Sequence, residues 1–116
     1  MSENQPVAQP TKESVLASLA AAAEAAHQAY MAALAANPGA DLSQLYMKEM
    51  VALRVWSTAE NQALKNDPAI GTAQNDLDSA TKIIRNGLST IKDISTWLSL
   101  LDNLVKLADT VGSFFA

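Results

Sequence analysis

Glu24 and His27 stand three residues apart in the segment EAAH. On an α-helix that spacing sets a carboxylate and an imidazole on one face, one turn apart. Two such motifs with two further glutamates hold the metals of di-iron helical bundles. The chain has a single histidine, so a metal site using Glu24 and His27 needs a second copy, with Glu49 as the candidate extra carboxylate. Glu49 is flanked at helical spacing by Leu45, Tyr46, Ala52, Leu53 and Trp56, which puts it on an apolar face. The same geometry has a simpler reading. If the two helices form a hairpin turning near residue 39, His27 lies level with Glu49 and Glu24 with Arg54. The pairs then fix helix register, the best-attested use of polar pairs among apolar neighbours. We prefer that reading, and no cofactor or metal is expected.

Other chemistry is thinner. Cysteine is absent, which excludes thiolate metal sites and disulfides. No Gly-rich phosphate loop and no Gly-x-Ser-x-Gly occurs. Asp102 and Asp109 stand two turns apart on a polar face, and Asp78–Lys82 and Asp102–Lys106 are ordinary i,i+4 pairs. The eight basic and twelve acidic residues are scattered, for a net charge of −4. That balance argues against nucleic acid, which demands a basic face, and offers no polybasic attraction to anionic lipid. The expectation is a protein that is not an enzyme.

These side chains must be held by helices. The chain has 22 alanines, 14 of them in the first 40 residues, and helix is favoured throughout. Residues 1–10 are polar and twice interrupted by proline, which reads as a disordered arm with no secretory signal. Residence in the cytoplasm is the default, with signal-less secretion left open. Residues 11–116 then form a single helical domain. Thr11 caps a first helix over about 12–36, which Asn37-Pro38-Gly39 stops. Asp41 and Gln44 read as a capping-box variant opening a second helix over about 42–66. The short connection makes the pair an antiparallel hairpin. Asp67-Pro68 opens the next helix.

After Pro68 a seven-residue repeat dominates. One register runs Ile70, Leu77, Ile84, Ile91, Leu98, Val105, Gly112; its companion runs Ala73, Ala80, Gly87, Ile94, Leu101, Ala108, Phe115. Six heptads in constant phase predict a coiled-coil seam on one continuous helix over about 68–113. The fold is therefore read as all-α: an antiparallel hairpin plus a long C-terminal heptad helix. The alternative is an up-down four-helix bundle with a break near Gly87, where Gly87 takes the left-handed C-terminal position and Thr90 with Asp93 caps a fourth helix.

A continuous helix of that length spans about 70 Å against roughly 37 Å for the first arm. Its second half would overhang the hairpin and require a partner. Ile91, Ile94, Trp97, Leu98, Leu101, Leu104, Val105 and Phe115 are the expected partner-binding anchors. The resulting function is a helical assembly or adaptor protein that self-associates as a homo-oligomer or binds a helical protein partner. Rivals are an amphipathic, membrane-active or secreted toxin-like component, and the dimeric carboxylate metalloprotein of Glu24, His27 and Glu49. Asp102, Lys106 and Asp109 interrupt the last helix, so it is not expected to span a bilayer. Binding at a membrane surface ranks well below a protein partner.

One short stretch carries a resemblance. LAANPGADLSQLYMKEM, residues 34–50, looks like the helix–turn–helix of type III secretion needle subunits. Those proteins also hinge at an Asn-Pro turn and polymerise through their helices. The likeness covers 17 of the 116 residues, and the chain after Pro68 has no counterpart in that family.

Overall fold

Thr11 begins the first helix as expected. Its extended backbone lets Oγ1 accept the Ser14 amide at 3.1 Å, satisfying one donor of the opening turn. In this computed structural model, which describes residues 9–116, the chain is all-α with four helices: α1 (Lys12–Ala36), α2 (Ser43–Glu60), α3 (Ile70–Gly87) and α4 (Ile94–Gly112). Most of the expected N-terminal arm, residues 1–8, lies outside the described residues. Gln9 is ordered by its amide, which donates to the Lys65 carbonyl and accepts from the Asp67 amide, both at 3.0 Å.

The turn after α1 uses Gly39 at φ 80°, the only positive φ among the described residues. Asp41 does not make the expected capping box. Its carboxylate accepts from Ser43 two residues on, and Leu42 occupies the cap position without a side-chain bond. Helix α2 also stops at Glu60, short of the expected 66. The amides of Asn61 and Gln62 turn back to Thr58 and Ala59. Beyond them, Ala63 and Ala116 exchange two backbone hydrogen bonds of 3.0 Å, and Lys65 donates to Phe114 at 2.7 Å. The C-terminus thus takes the backbone groups that another helical turn would have used.

The continuous 68–113 helix is the main correction. The chain breaks after Gly87 and reverses, which is the four-helix alternative. Leu88, Thr90 and Ile91 donate back to Arg85 and Gly87 and close α3. Asp93 then caps α4: its carboxylate accepts the Thr96 amide at 3.2 Å, the Thr96 hydroxyl at 3.0 Å and the Ser95 hydroxyl. Gly87 is not left-handed. It gives room to the Ile91 side chain, whose end an added Cβ would displace, and an added Cβ would stand 3.7 Å from the Trp97 ring. Trp97 is wholly buried at this corner, its Nε1 donating to the Ile91 carbonyl at 3.2 Å. Asn37 ties the corner to the end of α1, donating from Nδ2 to Ala33 and, at 2.8 Å, to Lys92.

The two hairpins lie side by side. Gln74 reaches Ser14 and Ser18, and Arg85 reaches Glu24, so α3 runs parallel to α1. Lys48 meets Asp102 and Val55 meets Gly112, so α4 runs parallel to α2. Helix α1 touches all three others, whereas α2 and α3 do not touch. The section is a rhombus with α1 and α4 on its short diagonal. That explains the alanines. Ala22, Ala25, Ala26, Ala29 and Ala33 are fully buried around α1, and their small side chains let three helices approach one axis. Against them lie the 3-4 spaced stripes Ile70, Ala73, Leu77, Ala80, Ile84 of α3 and Trp97, Leu101, Leu104, Ala108, Val111 of α4.

Two glycines give a paired test. At Gly112 an added Cβ would stand 2.7 Å from Val55 Cγ1, whereas at Gly71 nothing lies within 4 Å. Gly71→Ala is expected to raise stability by about 0.5–1 kcal/mol through helix propensity. Gly112→Ala is expected to lower it by about 1–2 kcal/mol, overpacking exceeding that gain. Urea unfolding of the two variants measures both signs.

Candidate functional site

The His27–Glu49 pair forms. The Nδ1 of His27, on the outer side of α1, lies 3.1 and 3.2 Å from the two carboxylate oxygens of Glu49 on α2. Glu49 is buried, while the His27 side chain keeps 56% of its surface in solvent. An α1–α2 groove of about 280 Å³ surrounds them, lined also by Ala20, Ala23, Glu24, Leu53 and Trp56. That volume falls below the about 300–1,000 Å³ usual for small-molecule sites.

The second expected pair does not form. Glu24 stands 4.0 Å from Arg85 of α3, not beside Arg54. Helix α3 lies on that flank of α1, a neighbour the hairpin alone does not reveal. Glu24 still borders the His27–Glu49 groove while its carboxylate reaches toward Arg85. Among the described residues no three His, Cys, Asp or Glu side chains converge as a metal site would require. His27–Glu49 is instead a cross-hairpin pair holding register in apolar surroundings.

Elsewhere the electrostatics serve helix ends and helix contacts. Asp102 of α4 meets Lys48 at 2.9 Å and Lys106 at 3.3 Å. The hydrogen bond from Lys48, then that from Lys106, holds its carboxyl below the ordinary value. Asp93 is likewise lowered, first by the Ser95 hydroxyl and then by Thr96. Two larger grooves, of about 660 Å³ beside Gln9, Asp67 and Gln74 and about 470 Å³ between Arg54, Asp109 and Phe115, contain no histidine.

The eight expected partner anchors separate into two groups. Trp97, Leu101, Leu104 and Phe115 are buried inside the subunit. Ile91, Ile94, Leu98 and Val105 are half-buried, and the first three pack against the core. The overhang that was to need a partner does not exist, because α4 folds back onto α1 and α2. The exposed apolar surface lies where the sequence reading did not place it. Met31, Leu34, Tyr46, Met47 and Met50 are exposed on the α1–α2 hairpin, Met47 most of all at 63%. Tyr30 and Tyr46 join the two helices, with ring centroids 5.7 Å apart. Both tyrosines of the chain and three of its four methionines therefore lie on this face. A sequence signal existed: residues 25–47 contain one formal charge, Asp41, besides His27.

No helix of the described residues is long and apolar enough to cross a membrane. Comparison with protein-family models, curated proteins and solved structures finds no match. The likeness of residues 34–50 to needle subunits thus gains no support from a family match.

Removing His27 leaves the Glu49 carboxylate buried without its partner, whereas removing Glu49 leaves a histidine that water can reach. His27→Ala is therefore expected to destabilise by about 1–3 kcal/mol. Glu49→Leu should cost less or stabilise. Their double-mutant cycle in urea should show the pair coupled, and equal, additive losses would contradict the register role.

Proposed function

We propose that this protein is a non-enzymatic helical interaction module. Its contact surface is the outer face of the α1–α2 hairpin, centred on Tyr46, Met47 and Met50. The supporting observation is that exposed face: large, flexible apolar side chains on α1 and α2, with the intervening Lys48 and Glu49 held by Asp102 and His27. Tyrosine and methionine are enriched at the centres of protein interfaces, and charged residues are depleted there. Methionine adapts its shape to a partner. This keeps the assembly or adaptor role that the expected overhang suggested, although the overhang is absent, and moves its surface from the C-terminal stretch to the first hairpin. The apolar stripe of α4, from which the membrane-active alternative was drawn, is covered by the subunit itself, so the interaction reading is preferred.

Met47 supplies the test. A photo-crosslinking residue at position 47 is expected to give protein adducts in the cells that make the protein. The same residue at exposed Ser79 on α3 is expected to give none. Absence of adducts at 47, or equal adducts at both positions, contradicts the reading. The position tolerates substitution, since changes at exposed sites usually alter stability by no more than about 0.5 kcal/mol.

A further inference from the structure

We infer that Met31, Met47 and Met50 form an oxidation site, at which a peroxide turns the exposed hairpin surface from apolar to polar without disturbing the fold. The chemistry needs only the three side chains. Its regulatory consequence rests on the interaction surface proposed above.

The placement of sulfur carries the inference. The chain has no cysteine, so its four methionines hold all of its sulfur. Met1 lies outside the described residues. The other three are exposed: Met31 at 48%, Met47 at 63% and Met50 at 40%. The core holds no methionine; its apolar side chains are alanine, valine, leucine, isoleucine, Trp97 and Phe115. Methionine commonly fills irregular gaps in cores. Here every described thioether is instead outside, on one pair of helices, and no thiol competes for the oxidant.

The step balances without a cofactor. The thioether sulfur attacks one oxygen of a hydroperoxide, and the O–O bond breaks. The proton on that oxygen passes to the departing oxygen, which leaves as water or an alcohol. Sulfur is oxidised by two electrons and the peroxide is reduced by two. The product is a sulfoxide, which turns an apolar side chain into a polar one.

On the exposed hairpin the new oxygen is solvated, so the folded subunit loses nothing. Under a partner the same oxygen would be buried, and an acceptor buried without a donor is penalised. Lys48, the cation between Met47 and Met50, is already held by Asp102. Oxidation therefore weakens association while the subunit stays folded. Methionine sulfoxide reductases, one for each epimer, reverse it.

Hydrogen peroxide and the purified full chain supply the test. Peptide mass spectrometry is expected to find one added oxygen at each of Met31, Met47 and Met50, at rates close to that of a short methionine peptide. The melting curve should stay unchanged. Retention on a hydrophobic-interaction column should fall, and treatment with the two reductases should restore it. The variant Met31→Leu, Met47→Leu, Met50→Leu keeps apolar side chains without sulfur, and its retention should ignore peroxide. Slow oxidation of the three methionines, a lowered melting curve or an unchanged retention overturns the inference. So does a fall in retention that the leucine variant shares. In lysate of the cells that make the protein, the purified chain with the photo-crosslinking residue at position 47 should lose adducts at least tenfold once Met31 and Met50 carry oxygen. Adducts indifferent to that oxygen overturn the regulatory consequence. If position 47 gives no adducts even before peroxide, the interaction surface fails, and the oxidation site stands on mass and retention alone.

Discussion

The close approach of three helices to the alanine-rich first helix is the constraint on which the structure depends. Like α4, α1 meets all three other helices, and its small side chains let them come close to its axis. With Ala22, Ala25, Ala26, Ala29 and Ala33 fully buried, α1 comes close to α4 across the short diagonal of the rhombus. The bulk that fills the core comes from the facing stripes, above all Trp97, Leu101 and Leu104. The division of labour is clear: one helix supplies proximity, and two supply volume. The C-terminal helix is therefore core material.

Much of this was legible in residue type and spacing. The Thr11 cap, the turn at Asn37-Pro38-Gly39, the antiparallel hairpin and the His27–Glu49 pair all follow from local rules, and the structure contains them. Those features need only neighbours within one hairpin. Glu24 shows where that reasoning stops, because its partner Arg85 lies on a helix whose position depends on the whole bundle. Asp41 failed as a box because the chain satisfies it two residues away instead of three.

The heptad misled for an instructive reason. Gly87 and Ile94 are one heptad apart, and the corner between them happens to preserve phase. A repeat of apolar residues records which face of each helix is buried, and that is the same whether a helix continues or folds back. The distinguishing signals were local ones. Asp93 followed by Ser95 and Thr96 supplies a cap, and Gly87 supplies room for Ile91 beneath it. The consequence reaches function. Once α4 is covered, most of the large apolar side chains left exposed are on the other hairpin, Ile83 of α3 being the exception, and the sequence there carries almost no charge from residue 25 to 47.

Native-state hydrogen exchange, followed at two protein concentrations tenfold apart, tests most directly whether the C-terminal helix belongs to the interior of a single subunit. The amides of Leu101, Leu104 and Ala108 should be as protected as those of Ala25 through Ala29, exchanging only through global unfolding. Their protection relative to α1 should be the same at both concentrations. Fast exchange in α4 while α1 stays closed, with protection recovered as the protein is concentrated, would mean that α4 is sheltered by another molecule and would contradict this account.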